Sequence, residues 1–175
     1  MTEFIEVLKY TIPGLILLAG VFGLLYYFNN KEKGEQRIDL LTSNYKILTP
    51  IRLQAYERIS LLLERIHPEA LIQRVNNRNL TAGQAKMLLI ESVREEFDHN
   101  LSQQIYIGSS TWQTVKNAKE QIIRTINITS SEVDPKKPGI LFLKSFLEKY
   151  NELQTQPIET ASEIVKKEVR QYFSM

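Results

Sequence analysis

The nineteen residues from Tyr10 to Phe28, YTIPGLILLAGVFGLLYYF, contain no charged side chain. At a rise of about 1.5 Å per residue, such a helix approaches the ~30 Å hydrocarbon thickness of a bilayer. Tyr10 at one end and Tyr26 and Tyr27 at the other are the amphipathic rings that a membrane–water interface favours. A cleaved signal peptide wants a basic start and a small-residue cleavage site, whereas this chain opens with Glu3 and Glu6 and leaves the run through YYFNN. A core helix apolar on every side would need a larger domain around it than the amphipathic remainder supplies. The run therefore predicts a transmembrane helix over 10–28, after a short flank at 1–9. One basic residue (Lys9) precedes it and three (Lys31, Lys33, Arg37) follow closely, which places the rest of the chain on the cytoplasmic side of a plasma membrane. Ala19 and Gly23 form a small-xxx-small pair through which two spans can approach as a homodimer.

Beyond a polar juxtamembrane linker at 29–48, a helical period governs 49–175. Thr49-Pro50 reads as an N-cap followed by an N1 proline. Ile51, Ala55, Ile59, Leu62, Leu63 and Ile66 then share one side, and His67-Pro68 ends the helix. Thr81 with Gln84, and Ser110 with Gln113, each match a capping box. The helices they open carry Ala85, Leu88, Leu89, Val93 and Phe97, then Trp112, Val115, Ile122, Ile123 and Ile126. Residues 103–108, QQIYIG, read as a short extended piece, and 129–139 as a loop by composition. Two further helices follow, one marked by Phe142, Leu143, Phe146, Tyr150 and Leu153, the other begun by Pro157. The expected fold is all-α: one N-terminal transmembrane helix and a bundle of about five helices.

Both histidines of the chain stand three residues after a glutamate, Glu64 with His67 and Glu96 with His99. Di-metal carboxylate bundles use such pairs, provided that both point inward. At 100° per residue from Ile59, Glu64 lies at about 140° and His67 at about 80°, outside the apolar arc. From Leu89, Glu96 lies at about −20° and His99 at about −80°, so Glu96 alone faces the core. The only candidate metal ligands are thus Glu96 and His99, and the expectation is no metal and no cofactor. Lys119 falls mid-stripe on the next helix, where a charge must pair or snorkel. The sequence therefore predicts a partly buried Glu96–Lys119 ion pair that fixes the register of the two helices, with a strong destabilisation on Glu96→Gln. No nucleophile elbow or general-base set is present. Without cysteine there is no thiolate chemistry, and a formal charge of +2 gives no field for nucleic acid.

Segments 52-RLQAYERISLLLERIHPEALIQRV-75 and 98-DHNLSQQIYIGSSTWQTVKNAKEQII-123 resemble an uncharacterised Bacteroidetes family of small proteins. The resemblance implies one N-terminal transmembrane helix, a helical body and the bacterial inner membrane, and brings no activity and no functional residues. The leading expectation is a non-enzymatic, membrane-tethered module that binds a protein partner. Its candidate surface is the aromatic segment around Tyr106 and Trp112, with burial of both rings in the bundle's own core as the competing reading. The alternatives are a small metal-dependent enzyme, and a lipid-surface regulator using the basic doublets Lys136-Lys137 and Lys166-Lys167.

Overall fold

The computed structural model describes the backbone over residues 2–75 and 79–173, and side chains over 14–27, 45–75 and 79–173. The described residues form helices α1 (Thr2–Ile66), α2 (Pro68–Val75), α3 (Ala82–His99), α4 (Ser109–Glu132), α5 (Gly139–Asn151) and α6 (Pro157–Phe173). A 3₁₀ turn, Leu101–Ile105, follows α3. No strand occurs among the described residues, and one isolated bridge pairs Thr81 with Pro138. The chain divides into two compact units, Met1–Thr49 and Pro50–Met175.

In the first unit the helix does not respect the boundaries read from the sequence. Residues 2–9 of the expected flank and the whole of the expected linker lie in α1, and Pro50 does not start a helix. A proline inside a helix removes one hydrogen bond. The segment NNKEKGEQR within that linker is rich in Lys, Glu, Gln and Arg, all good helix formers. Residues 14–27 are exposed throughout, with Leu15, Ile16, Leu17, Leu18, Phe22, Leu24 and Leu25 each at least 60% accessible. Among the described residues no helix is long and apolar enough to cross a membrane. The side chains of Tyr10–Pro13 and Phe28, which complete the run predicted to span, lie outside the described residues.

The second unit is a helical bundle. Helix α4 packs against α3, α5 and α6, while α3 also meets α2 and α5. The predicted apolar stripes supply the core: Ile59, Leu62, Leu63 and Ile66 of α1 are buried, as are Leu89 and Val93 of α3 and Ile122 and Ile126 of α4. Each such side chain contributes about 1.5–3 kcal/mol when fully buried. Ile51 departs from its stripe and is exposed. The short α2, which Pro68 opens directly after the predicted helix end, buries Leu71 and Val75. The QQIYIG segment is not extended: it falls partly in the 3₁₀ turn.

The start of α3 satisfies every backbone donor that a helix end leaves open. Thr81 Oγ1 accepts from Gln84 N, and the Gln84 side chain accepts from Thr81 N, forming the predicted capping box. The Ala82 and Gly83 amides donate to the carbonyls of Lys137 (2.8 Å) and Pro135 (3.0 Å). The loop after α4 is therefore the second half of the α3 cap. Gly139 N closes it on Leu80 O at 2.7 Å, and a Cβ at Gly139 would stand 2.9 Å from that same oxygen. Gly139→Ala is expected to destabilise the body by roughly 1–3 kcal/mol, the usual cost of overpacking. Thr81→Ala should cost about 1 kcal/mol through the lost cap. Chemical denaturation of both variants measures the two losses.

Candidate functional site

The two Glu-x-x-His pairs fall in different places and do not converge. Glu64 is exposed, as its phase requires. His67 lies in the break between α1 and α2, where its Nε2 meets Glu159 Oε1 at 3.1 Å and its ring meets Tyr150 edge-on, centroids 5.6 Å apart. Tyr150 Oη donates to the other oxygen, Glu159 Oε2, at 2.8 Å. Glu159 sits in the first turn of α6, where the helix dipole favours an anion. Partial burial raises its pKa, but hydrogen bonds from Tyr150, its own backbone and His67 outweigh that, and the carboxyl is held below its ordinary value. Burial first, then the hydrogen bond to Glu159 and its charge, push the Tyr150 hydroxyl well up. These three groups join the α1–α2 break, α5 and α6. Their geometry is that of a clasp.

Glu96 faces inward as expected but does not pair with Lys119. Its carboxylate takes Arg65 Nη1 at 3.0 and 3.3 Å and lies 4.0 Å from Arg74 Nη1. Lys119 instead reaches Glu120 at 2.9 Å and lies over the Phe97 ring, 4.4 Å from its centroid. Adjacent residues on a helix do not face the same way. Phe97 turns toward α4 and stacks on Trp112, so Glu96, one position earlier, is turned toward the arginines of α1 and α2. His99 ends α3, with Nδ1 at 2.9 Å from Glu95 O. A carbonyl only accepts, so Nδ1 carries the proton and Nε2 is left free as an acceptor in the neutral ring. Glu96 and His99 line a cleft of about 360 Å³ together with Arg58, Arg65 and Arg74. A metal there would compete with two guanidinium groups for Glu96. No group of three His, Asp or Glu side chains able to hold a metal occurs among the described residues.

Tyr106 and Trp112 are half-buried and pack on the core, which matches the competing reading of that segment. The free apolar side chains beside them are Leu101 and Ile105, 44% and 75% accessible. In the first unit, Tyr26 and Tyr27 are exposed, and Tyr10 lies outside the described side chains. Ala19 is exposed and Gly23 has open space around it. Both basic doublets are exposed.

One buried polar centre was missed in the sequence. Glu168 Oε1 accepts from Tyr56 Oη and from Gly108 N, both at 2.7 Å. The expected Ser110/Gln113 capping box does not form, because α4 begins at Ser109 with Gly108 as its cap. The carboxylate that approaches this end comes from α6. Burial, followed by the hydrogen bond to Glu168, pushes the Tyr56 hydroxyl up. A signal was available: Ala161, Val165, Glu168 and Tyr172 follow the spacing of one helix face, which puts an acid among core positions.

The chain belongs to the family of unknown function DUF7935, whose model matches residues 2–172. No curated protein and no solved structure matches it.

Two outcomes follow from this geometry. Arg65 and Arg74 are substantially exposed, so Glu96→Gln should cost no more than about 1 kcal/mol in a denaturation experiment, far less than a buried pair with Lys119 would. Glu159 binds its proton less readily in the folded than in the unfolded state. Its contribution is therefore present above the unfolded carboxyl pKa and is lost as pH falls through the lowered folded one. Urea melts of the parent and Glu159→Gln should differ at pH 7, begin to converge as the pH enters the ordinary carboxylate range near about 4, and coincide only below the lowered folded-state value.

Proposed function

We propose that this member of DUF7935 is a non-enzymatic helical module, anchored in the bacterial inner membrane by 10–28, that engages a protein partner at the cytoplasmic face. The observation that carries the anchor is the uncovered aliphatic surface of 14–27, where leucines and Phe22 are exposed and no charge interrupts the run. In water that surface would be an aggregation-prone patch, whereas hydrocarbon is an equally good solvent for every side of the helix. Tyr26 and Tyr27 at its end suit an interface, and Lys31, Lys33 and Arg37 beyond them favour the cytoplasm for 49–175. Ala19 and Gly23 offer the close-approach face for a second span. The resemblance to small Bacteroidetes membrane proteins supports the same setting. Since Tyr106 and Trp112 are committed to the bundle, the partner-facing groups beside them are Leu101 and Ile105.

Expression of the full chain in a bacterium tests the reading. The protein should stay in the membrane pellet through alkaline carbonate extraction. A single cysteine replacing exposed Lys136 should resist an impermeant thiol reagent in spheroplasts and react after lysis. Recovery in the soluble fraction would overturn the anchor, and labelling in intact spheroplasts would reverse the orientation. Photo-crosslinking from Ile105 should trap a distinct partner band that a crosslinker at exposed Glu91 does not.

A further inference from the structure

The second oxygen of Glu168 takes no part in its contacts with Tyr56 and Gly108. The residue is 9% accessible, and Oε1 carries both hydrogen bonds while Oε2 makes none. No buried side-chain nitrogen or oxygen among the described residues lacks a hydrogen-bond partner, so Oε2 must reach solvent. It does so in a cleft of about 500 Å³ between the start of α4 and the end of α6, lined also by Ser110, Thr111, Gln171 and Tyr172. Thr111 is 2% accessible, and its hydroxyl, which also makes no hydrogen bond, opens there by the same reasoning.

A carboxylate group nine-tenths buried often has a cationic partner, and Oε2 is the oxygen left to take one. The two nearby cations are committed or misdirected. Arg52 gives its Nε to Tyr106 O at 3.1 Å and lies over the Tyr172 ring, 4.4 Å from the centroid. Lys167 lines the cleft but is exposed and makes no ion pair with Glu168. No ion pair to Glu168 exists among the described residues.

We infer that Glu168 Oε2 is the anchoring acceptor for an incoming guanidinium or ammonium group, which enters the α4–α6 cleft and is flanked by the Thr111 hydroxyl and the half-exposed Tyr172 ring. Charge-assisted hydrogen bonds to a carboxylate are short and strong. Oε1 stays tied to Tyr56 and Gly108, so the acceptor is fixed before the ligand arrives. The chemistry is that of an arginine or lysine side chain of a partner, or of a small diffusible amine. The site lies wholly within the 50–175 unit, so it stands or falls independently of the membrane reading.

The Gly108 amide, hydrogen-bonded to the same carboxylate, reports on the site by NMR of the full-length protein. Titration with N-acetyl-arginine amide should give a saturable shift of that amide with half-saturation at about 1 mM, typical of a single-residue ligand. N-acetyl-glutamine amide and matched sodium chloride should leave it unmoved. Glu168→Gln keeps a carbonyl acceptor for Tyr56 and Gly108 and should weaken the response at least tenfold. Ser110→Lys leaves the clasp intact, supplies a cation from across the cleft, and should abolish the response. A Gly-Arg-Gly peptide binding more tightly than methylguanidinium assigns the site to a partner's side chain, and equal binding assigns it to a diffusible amine. A Gly108 amide that ignores all three cations, or shifts equally in Ser110→Lys, overturns the inference.

Discussion

A single carboxylate oxygen, Glu168 Oε1, is where three distant parts of the body meet. It accepts from Tyr56 of α1 and from the backbone before α4, while α6 supplies it. One helix end and one buried phenol would otherwise stand unsatisfied, and unmade buried hydrogen bonds cost more than made ones return. Nine residues earlier on α6, Glu159 does the same for His67 and Tyr150. Tyr56 pairs with the later acid and His67 with the earlier one, so the end of α1 and α6 run antiparallel in a fixed register. Hydrophobic stripes alone tolerate sliding, and these two polar contacts remove that freedom.

Much of the body was legible because its signals are local. The Thr81–Gln84 box needs only four consecutive residues, and it forms as read. The stripes of α1, α3 and α4 depend on a period within one helix, and their central members are buried. Misreadings came where the deciding group lay elsewhere in the chain. Ser110 and Gln113 match a capping box, yet α4 starts one residue earlier and its end is approached by an acid from α6. Glu96 was phased correctly inward, but phase gives a direction and no partner. The stacked Phe97 and Trp112 occupy the space toward α4, and the arginines of α1 and α2 take the acid instead. Pro50 misled because a proline costs a helix one hydrogen bond and disfavours a helical residue before it without forbidding either, and α1 runs through it.

The residues first read as possible metal ligands ended in unrelated roles, as a clasp at His67 and the wall of an arginine-lined cleft at Glu96 and His99. Paired motifs in sequence carry chemistry only when the fold brings them together, and here separate helix ends keep them apart. The features that did prove chemically distinctive, Glu159 and Glu168, sit on a helix whose apolar pattern hides them unless each stripe position is checked for charge.

The span between Tyr56 and Glu168, 112 residues, also sets an order of events during synthesis. While the ribosome is still making α2 to α5, the phenol of Tyr56 and the amide of Gly108 have only water as an acceptor. Neither side of the clasp can close until α6 has emerged. Long-range closure of this kind is slow, and chaperone contact or premature association would act in that interval.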